Sequence, residues 1–143
     1  MELSNFKVLT FDVVGTLIDF ETGVLDAIRR IGGSAAQDLS DNTIFEAYKR
    51  GRDLYPGRSS SAMADVYRSL AEELKLPADT VSADAFQLAV FRWPAFEDSV
   101  AALKRLRKHY RLVAMTNADR VAYSSYAHSL GLPFHDAVTC DEE

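Results

Sequence analysis

The segment Phe6-Lys7-Val8-Leu9-Thr10-Phe11-Asp12-Val13-Val14-Gly15-Thr16-Leu17-Ile18-Asp19 constrains this chain more than any other. Its first half is a short apolar run rich in Val, Leu and Phe, which predicts a buried β-strand. The run stops at a lone carboxylate, Asp12, and Gly15 and Thr16 then break the strand pattern. Open α/β sheets bind their ligands beyond the carboxyl ends of the strands. Gly15 permits a sharp turn, so the turn's backbone N–H groups and the Thr16 hydroxyl can face whatever Asp12 faces. An ordinary Asp-x-x-Gly turn after a strand fits the same residues. The pattern alone leaves both readings open.

Beyond Asp19 the pattern turns helical for a long way. Val24, Leu25, Ile28 and Ile31 share one face of a helix that opens near Glu21 or Thr22 and stops at Gly32-Gly33. Ile44, Phe45, Tyr48, Leu54 and Tyr55 mark a second, with Ser40 or Asp41 as N-cap, an interruption at Gly51 and an end at Pro56-Gly57. Met63, Val66, Tyr67, Leu70 and Leu74 predict a third, and Phe86, Leu88, Ala89 and Val90 a shorter fourth. Four helices are too many for a simple crossover between two strands, so a helical insertion over roughly residues 20–92 is expected. After Trp93-Pro94, a helix carries Val100, Leu103, Leu106 and Tyr110 inward and Lys104, Arg105, Arg107 and Lys108 outward. That basic cluster reads as a solvated face helped by the helix C-terminus, with anion or nucleic-acid binding as the alternative. Leu112-Val113-Ala114-Met115 predicts a second strand ending at Thr116-Asn117, and Asp136–Cys140 a third; between them a helix through Tyr123, Tyr126, Ala127 and Leu130 stops at Gly131.

Composition removes several classes of function. A net charge of −5 leaves no electrostatic footprint for nucleic acid. The single cysteine, Cys140, excludes an intrachain disulfide framework and suits a reducing compartment. Met1-Glu2-Leu3-Ser4 lacks the basic start of a signal peptide, and no apolar run approaches the ~20 residues that span a bilayer. A cytoplasmic protein with no membrane partner is expected. The histidines, His109, His128 and His135, show no metal-ligand spacing.

Phe-Asp-Val-Val-Gly-Thr-Leu-Ile-Asp closely resembles the first motif of the haloacid dehalogenase (HAD) superfamily, in which an Asp followed four residues later by Thr closes the first strand. The resemblance implies that Asp12 is a nucleophile that forms a covalent acyl intermediate, a known use of carboxylates. It also implies an α/β fold: a three-layer, Rossmann-like parallel sheet, here partial, with a helical cap inserted after the first strand. The expected division is a core of residues 1–19 and 93–143 and a cap of residues 20–92.

Position 14 departs from the phosphatases of that superfamily, which carry a second Asp there as general acid and base. Val14 can neither give nor take a proton. An alkoxide leaving group gains ~10²–10⁴-fold in rate from one, whereas a halide needs none. Val14 therefore favours the 2-haloacid dehalogenase branch, a small anionic substrate and no cofactor. The alternative is a phosphohydrolase or phosphonate hydrolase with Mg²⁺ on Asp12 and the Val14 carbonyl. A non-catalytic binding or assembly module is a third reading.

The resemblance extends to Thr116-Asn117, which is similar to the second motif and implies, with Thr16, groups that hold the substrate's anionic end against the nucleophile. The dehalogenases place an Arg on the second cap helix over the active site. Aligning Tyr48-Lys49-Arg50-Gly51-Arg52-Asp53-Leu54-Tyr55 with that stretch makes Lys49 the substitute, with Arg50 and Arg52 as the other candidates. A third-motif Lys and an acidic or polar fourth motif have no counterpart before Glu143. The expectation is a fragment of a longer enzyme, or a homo-oligomer whose partner covers the open edge of the first strand.

Overall fold

The structure, a computed structural model, describes residues 2–57 and 60–141. Two compact units divide it, one of residues Met1–Asp19 and Pro94–Glu143 and the other of Phe20–Trp93.

The first unit is built on a three-stranded parallel sheet in the order β1-β2-β3, with β1 at Val8–Phe11, β2 at Arg111–Met115 and β3 at Asp136–Val138. Leu9 lies level with Leu112 and Phe11 with Ala114, which in turn is level with Ala137. Residues in register point to one side of a sheet. That side is covered: Leu112 and Ala114 are fully buried, and Phe11 meets the Phe134 ring at 6.3 Å. Tyr123 reaches the same Phe134 ring from α7, which spans Arg120–Ser129. The opposite side holds Val8, Met115 and Val138, each about half exposed (45%, 52% and 48%). The first strand is therefore not the buried strand its apolar run predicts. It is an edge strand with one bare face, and burial of hydrophobic sequence needs neighbours on both.

Helix α6 runs over Ser99–Leu106, with Leu103 buried and Val100 exposed. It stops four residues short of Tyr110, because Arg107, Lys108 and His109 close into a turn onto Leu103, Arg105 and Leu106. Asp119 caps α7, its carboxylate accepting the Ala122 N–H at 2.8 Å. His135 is structural: its Nδ1 accepts the Leu112 N–H at 3.0 Å while its backbone N–H donates to the Leu112 carbonyl.

The second unit is helical: α1 (Phe20–Gly32), a short α2 (Ser34–Gln37), α3 (Asp41–Leu54), α4 (Met63–Leu74) and α5 (Thr80–Val90). Ser40 caps α3 by accepting the Thr43 N–H, and Asp79 caps α5 by accepting the Ser82 N–H. Both the Ser82 N–H and the Ser82 hydroxyl hold the Asp79 carboxyl below its usual range. Rings join the interior in sequence, Tyr67 stacking on Phe86, Phe86 edge-on to Tyr48, Tyr48 beside Phe45, and Phe45 beside Phe20 and then Trp93. The Tyr67 hydroxyl donates to the Pro77 carbonyl, so its burial leaves no orphaned polar group.

Two glycines in this unit are there for closeness. Gly51 does not interrupt α3, which continues to Leu54; a Cβ at Gly51 would stand 3.0 Å from the Val66 carbonyl oxygen of α4. At Gly23 a Cβ would lie 2.1 Å from Trp93 Cδ1 and 2.6 Å from its Cγ. These are ring atoms near the root of a buried indole, with little freedom to swing aside. Gly23→Ala should therefore lower stability by ~1–3 kcal/mol, the usual cost of overpacking a filled core. Urea unfolding measures it, and an unchanged midpoint would mean that Trp93 does not pack where described.

Candidate active site

Asp12 is the first residue past β1, and its carboxylate is exposed. The chain reverses immediately after it. The Val13 carbonyl accepts N–H groups from Thr16, Leu17 and Ile18, at 3.3, 2.9 and 3.0 Å, and Gly15 takes φ +90° to donate its own N–H to Ile18. A side chain at that φ would be strained, which is why a Gly stands there. Val13 and Ile18 are fully buried beneath this loop, anchoring it. Phe96 N–H to the Leu17 carbonyl and Asp19 N–H to the Pro94 carbonyl tie its far end. The reversal brings the Thr16 hydroxyl back over four residues to donate to Asp12 Oδ2 at 2.8 Å. Asp12 Oδ1 carries no hydrogen bond among the described residues. Val14, half-buried, brings no proton-carrying group.

The neighbouring strand ends beside it. Phe11 is in register with Ala114, so Asp12 and Thr116 follow the carboxyl ends of adjacent strands, about 4.8 Å apart in a sheet. The Thr116 Oγ1 accepts the Ala118 N–H at 3.1 Å, which leaves the hydroxyl proton free to be donated. Asn117 is exposed in the same turn.

A clamp that sequence reasoning missed holds this turn. The Thr116 N–H donates to the Val138 carbonyl and the Cys140 N–H to the Ala118 carbonyl, stitching the ends of β2 and β3 together. Asp141 accepts the Arg120 N–H, at the mouth of α7, with both oxygens, and the hydroxyl of buried Thr139 at 2.6 Å. In sequence, Asp141-Glu142-Glu143 reads as a solvated acidic end. The Asp141 carboxylate is instead occupied, and the Thr139 hydroxyl and Arg120 N–H hold its pKa below the usual carboxylate value. The available signal was a Thr two residues before an Asp at a strand's end, close behind a capped helix.

Lys49, Arg50 and Arg52 belong to the helical unit, on α3. Lys49 pairs with Glu46 one turn earlier. Arg50 forks onto both oxygens of Glu73, which raises the pKa of Arg50 and lowers that of Glu73. Arg52 donates to the Gly57 carbonyl at 3.1 Å. Tyr48, the first residue of the aligned stretch, is buried, and burial raises its phenol pKa despite the opposing charge of Arg52.

Among the described residues no group of three or more His, Cys, Asp or Glu side chains could hold a metal. The metal donors that the sequence supplies beside Asp12 are its one carboxylate and the Val14 carbonyl, a sparse set for Mg²⁺, which takes six oxygens and keeps waters for the rest.

The site is an exposed carboxylate after the first strand of a parallel α/β sheet, steadied by a hydroxyl four residues on. The chain belongs to the haloacid dehalogenase-like hydrolase family, whose model matches residues 6–143. No curated protein matches it in sequence. In fold it is similar to the L-2-haloacid dehalogenase PA0810 (19% identity, TM-score 0.75, 95% of this chain and 63% of that one). It is similar also to the L-2-haloacid dehalogenase of Xanthobacter autotrophicus with chloropropionic acid covalently bound (19%, 0.67, 95% and 57%). A third is the HAD-hydrolase YfnB from Bacillus subtilis bound to magnesium (16%, 0.72, 94% and 65%). The chain thus spans less than two thirds of the length of these three structures.

The Asp141 clamp makes stability depend on pH in a fixed direction. A carboxyl whose pKa is lowered on folding stabilises above its unfolded value, near 3.9, and that contribution drains away as pH falls through the lowered folded value. Asp141→Asn should melt below the parent at pH 7, with the gap closing as both are taken into acid. A gap independent of pH would contradict the clamp.

Proposed function

We propose that Asp12 is a nucleophile for an SN2 displacement at carbon, on a small 2-haloacid. One oxygen of its carboxylate attacks the halogen-bearing carbon; the carbon–halogen bond breaks and the halide leaves with its electron pair. Water then attacks the carbonyl of the resulting Asp12 ester. The 2-hydroxy acid departs, a proton goes to solvent, and the Asp12 carboxylate is restored. The observation that carries this reading is the pairing of an exposed Asp12, held by Thr16 at one oxygen only, with an aliphatic side chain at position 14. A halide is a stable anion and needs no proton, so Val14 costs this reaction nothing, while an alkoxide would depart unassisted.

Thr116 and Asn117 donate to the substrate carboxylate in this scheme. Of the α3 cations, Arg52 suits the substrate's charge best, since its partner is a neutral carbonyl and not a carboxylate. The core and cap roles fall to residues 1–19 with 93–143 and to residues 20–92. The second reading, a Mg²⁺-dependent phosphohydrolase with the metal on Asp12 and the Val14 carbonyl, draws on the magnesium-bound fold neighbour.

Incubation with 2-chloropropionate and with small phosphomonoesters, each with and without EDTA, separates the two. Chloride release insensitive to EDTA, lost in Asp12→Asn, is expected. Phosphate release that EDTA abolishes would replace this reading with the metal-dependent one. Intact mass detects the Asp12 ester even where its hydrolysis is slow.

The open β1 edge is where copies of this chain would associate, since it presents an unpaired row of N–H and C=O groups beside exposed Val8. Val8→Lys should shift the chain toward monomer in sedimentation. An unchanged distribution would place self-association elsewhere.

A further inference from the structure

Apart from the Asp12 turn, the first unit carries a concave feature. A wide-mouthed groove of about 570 Å³ is bounded by Val100, Lys104, Arg107 and Lys108 on one side and by Leu130 and Pro133 on the other. The four residues of the first wall recur at helical spacing, so they form one stripe along α6 and the turn after it. Leu130 and Pro133 are buried and make an apolar floor. The second wall is shaped by two consecutive left-handed residues, Gly131 (φ +82°) and Leu132 (φ +53°). A left-handed Leu is held against its own preference. The Leu132 N–H to the Ala127 carbonyl at 2.8 Å and the Gly131 N–H to the His128 carbonyl at 3.0 Å hold it, and the Arg107 guanidinium adds a hydrogen bond to the Leu132 carbonyl at 3.0 Å.

The charges on the rim are uncompensated. None of Lys104, Arg107 or Lys108 has a carboxylate partner among the described residues, whereas Arg29, Lys49, Arg50 and Arg68 each do. Acidic residues outnumber basic ones 21 to 16 in this chain, so three unpaired cations around one groove are a local reversal of its overall charge. Helix-end electrostatics accounts for cations near the last turn of α6. It does not account for an apolar floor between them and a second wall opposite.

We propose that this groove docks an acidic, amphipathic polypeptide segment of a partner protein, whose carboxylates meet Lys104 and Lys108 and whose aliphatic side chains cover the exposed Val100 above the Leu130 and Pro133 base. The groove is open along one side, so a small molecule would keep much of its surface in water, contrary to the deep enclosure of ligand pockets. Nucleic acid fits poorly as well. No aromatic side chain lines the groove to stack a base. A line of lysines beside aliphatic surface suits carboxylates interleaved with leucines. This site is independent of the chemistry assigned to Asp12.

The probe is a fluorescein-labelled dodecapeptide of repeated Glu-Glu-Leu, followed by fluorescence anisotropy and amide chemical shifts on the full chain. Binding is expected at low salt, with shifts at residues 100–108 and 130–133. It should weaken about tenfold in the K104E/K108E double variant, and weaken also as salt rises well beyond physiological strength. Both lysines are exposed, so the variant's melting temperature should stay that of the parent. If that variant unfolds, K104Q/K108Q reads the same loss. Absence of binding up to about 1 mM peptide, or equal binding by the variants, would overturn the proposal. Equal binding of an all-glutamate dodecapeptide would reduce the groove to a charge patch, and tighter binding of dodecathymidylate would reassign it to nucleic acid; either outcome overturns the proposal.

Discussion

The Val13 carbonyl is the pivot of the proposed chemistry. By accepting three successive N–H groups it winds the chain through a tight reversal just where β1 ends. Without that reversal the Thr16 hydroxyl, four residues away along an extended chain, could not reach Asp12. The hydrogen bond occupies Oδ2, orients the carboxylate and leaves Oδ1 outward. The cost of so tight a turn falls on Gly15, which alone in the segment has the conformational freedom for it. Burial of Val13 and Ile18 then fixes the loop to the unit that carries it. An exposed carboxylate is thus held on a rigid element, which positions a reacting group better than a mobile loop does.

The same economy is absent from the sheet itself. Parallel sheets ordinarily have both faces covered. Here Leu112 and Ala114 are buried and Phe11 meets the Phe134 ring that Tyr123 of α7 also reaches, while Val8, Met115 and Val138 are exposed. The edge of β1 is open as well. The site at the carboxyl ends of β1 and β2 therefore rests on a sheet supported from one side. The cross-links between the ends of β2 and β3, with Thr139 and Asp141 clasping the mouth of α7, matter more for that reason.

Much of this was legible in the sequence because the signals are local. Ser40 and Asp79 cap the helices they precede, helical spacing placed Val66, Tyr67 and Leu70 in the core, and Asp12 and Thr16 sit together because four residues and a Gly suffice to turn the chain. The failures are all tertiary. Gly51 looks like a helix breaker in one dimension, yet it is the point where α4 comes close to α3. The apolar run of β1 announces burial, but burial belongs to neighbours, and among the described residues β1 pairs with β2 alone. Asp141 looked like a solvated tail residue because its partners, Thr139 and Arg120, lie on two different elements.

The decisive measurement is a single turnover in H₂¹⁸O with 2-chloropropionate, with enzyme in excess, followed by mass spectrometry of the peptide containing Asp12. Water attacking the Asp12 ester at its carbonyl must leave one ¹⁸O in that carboxylate, and the account predicts a gain of that one heavy oxygen at Asp12. Label found only in the 2-hydroxy acid product, with Asp12 unlabelled, would mean that water attacks carbon directly and that Asp12 is not a nucleophile.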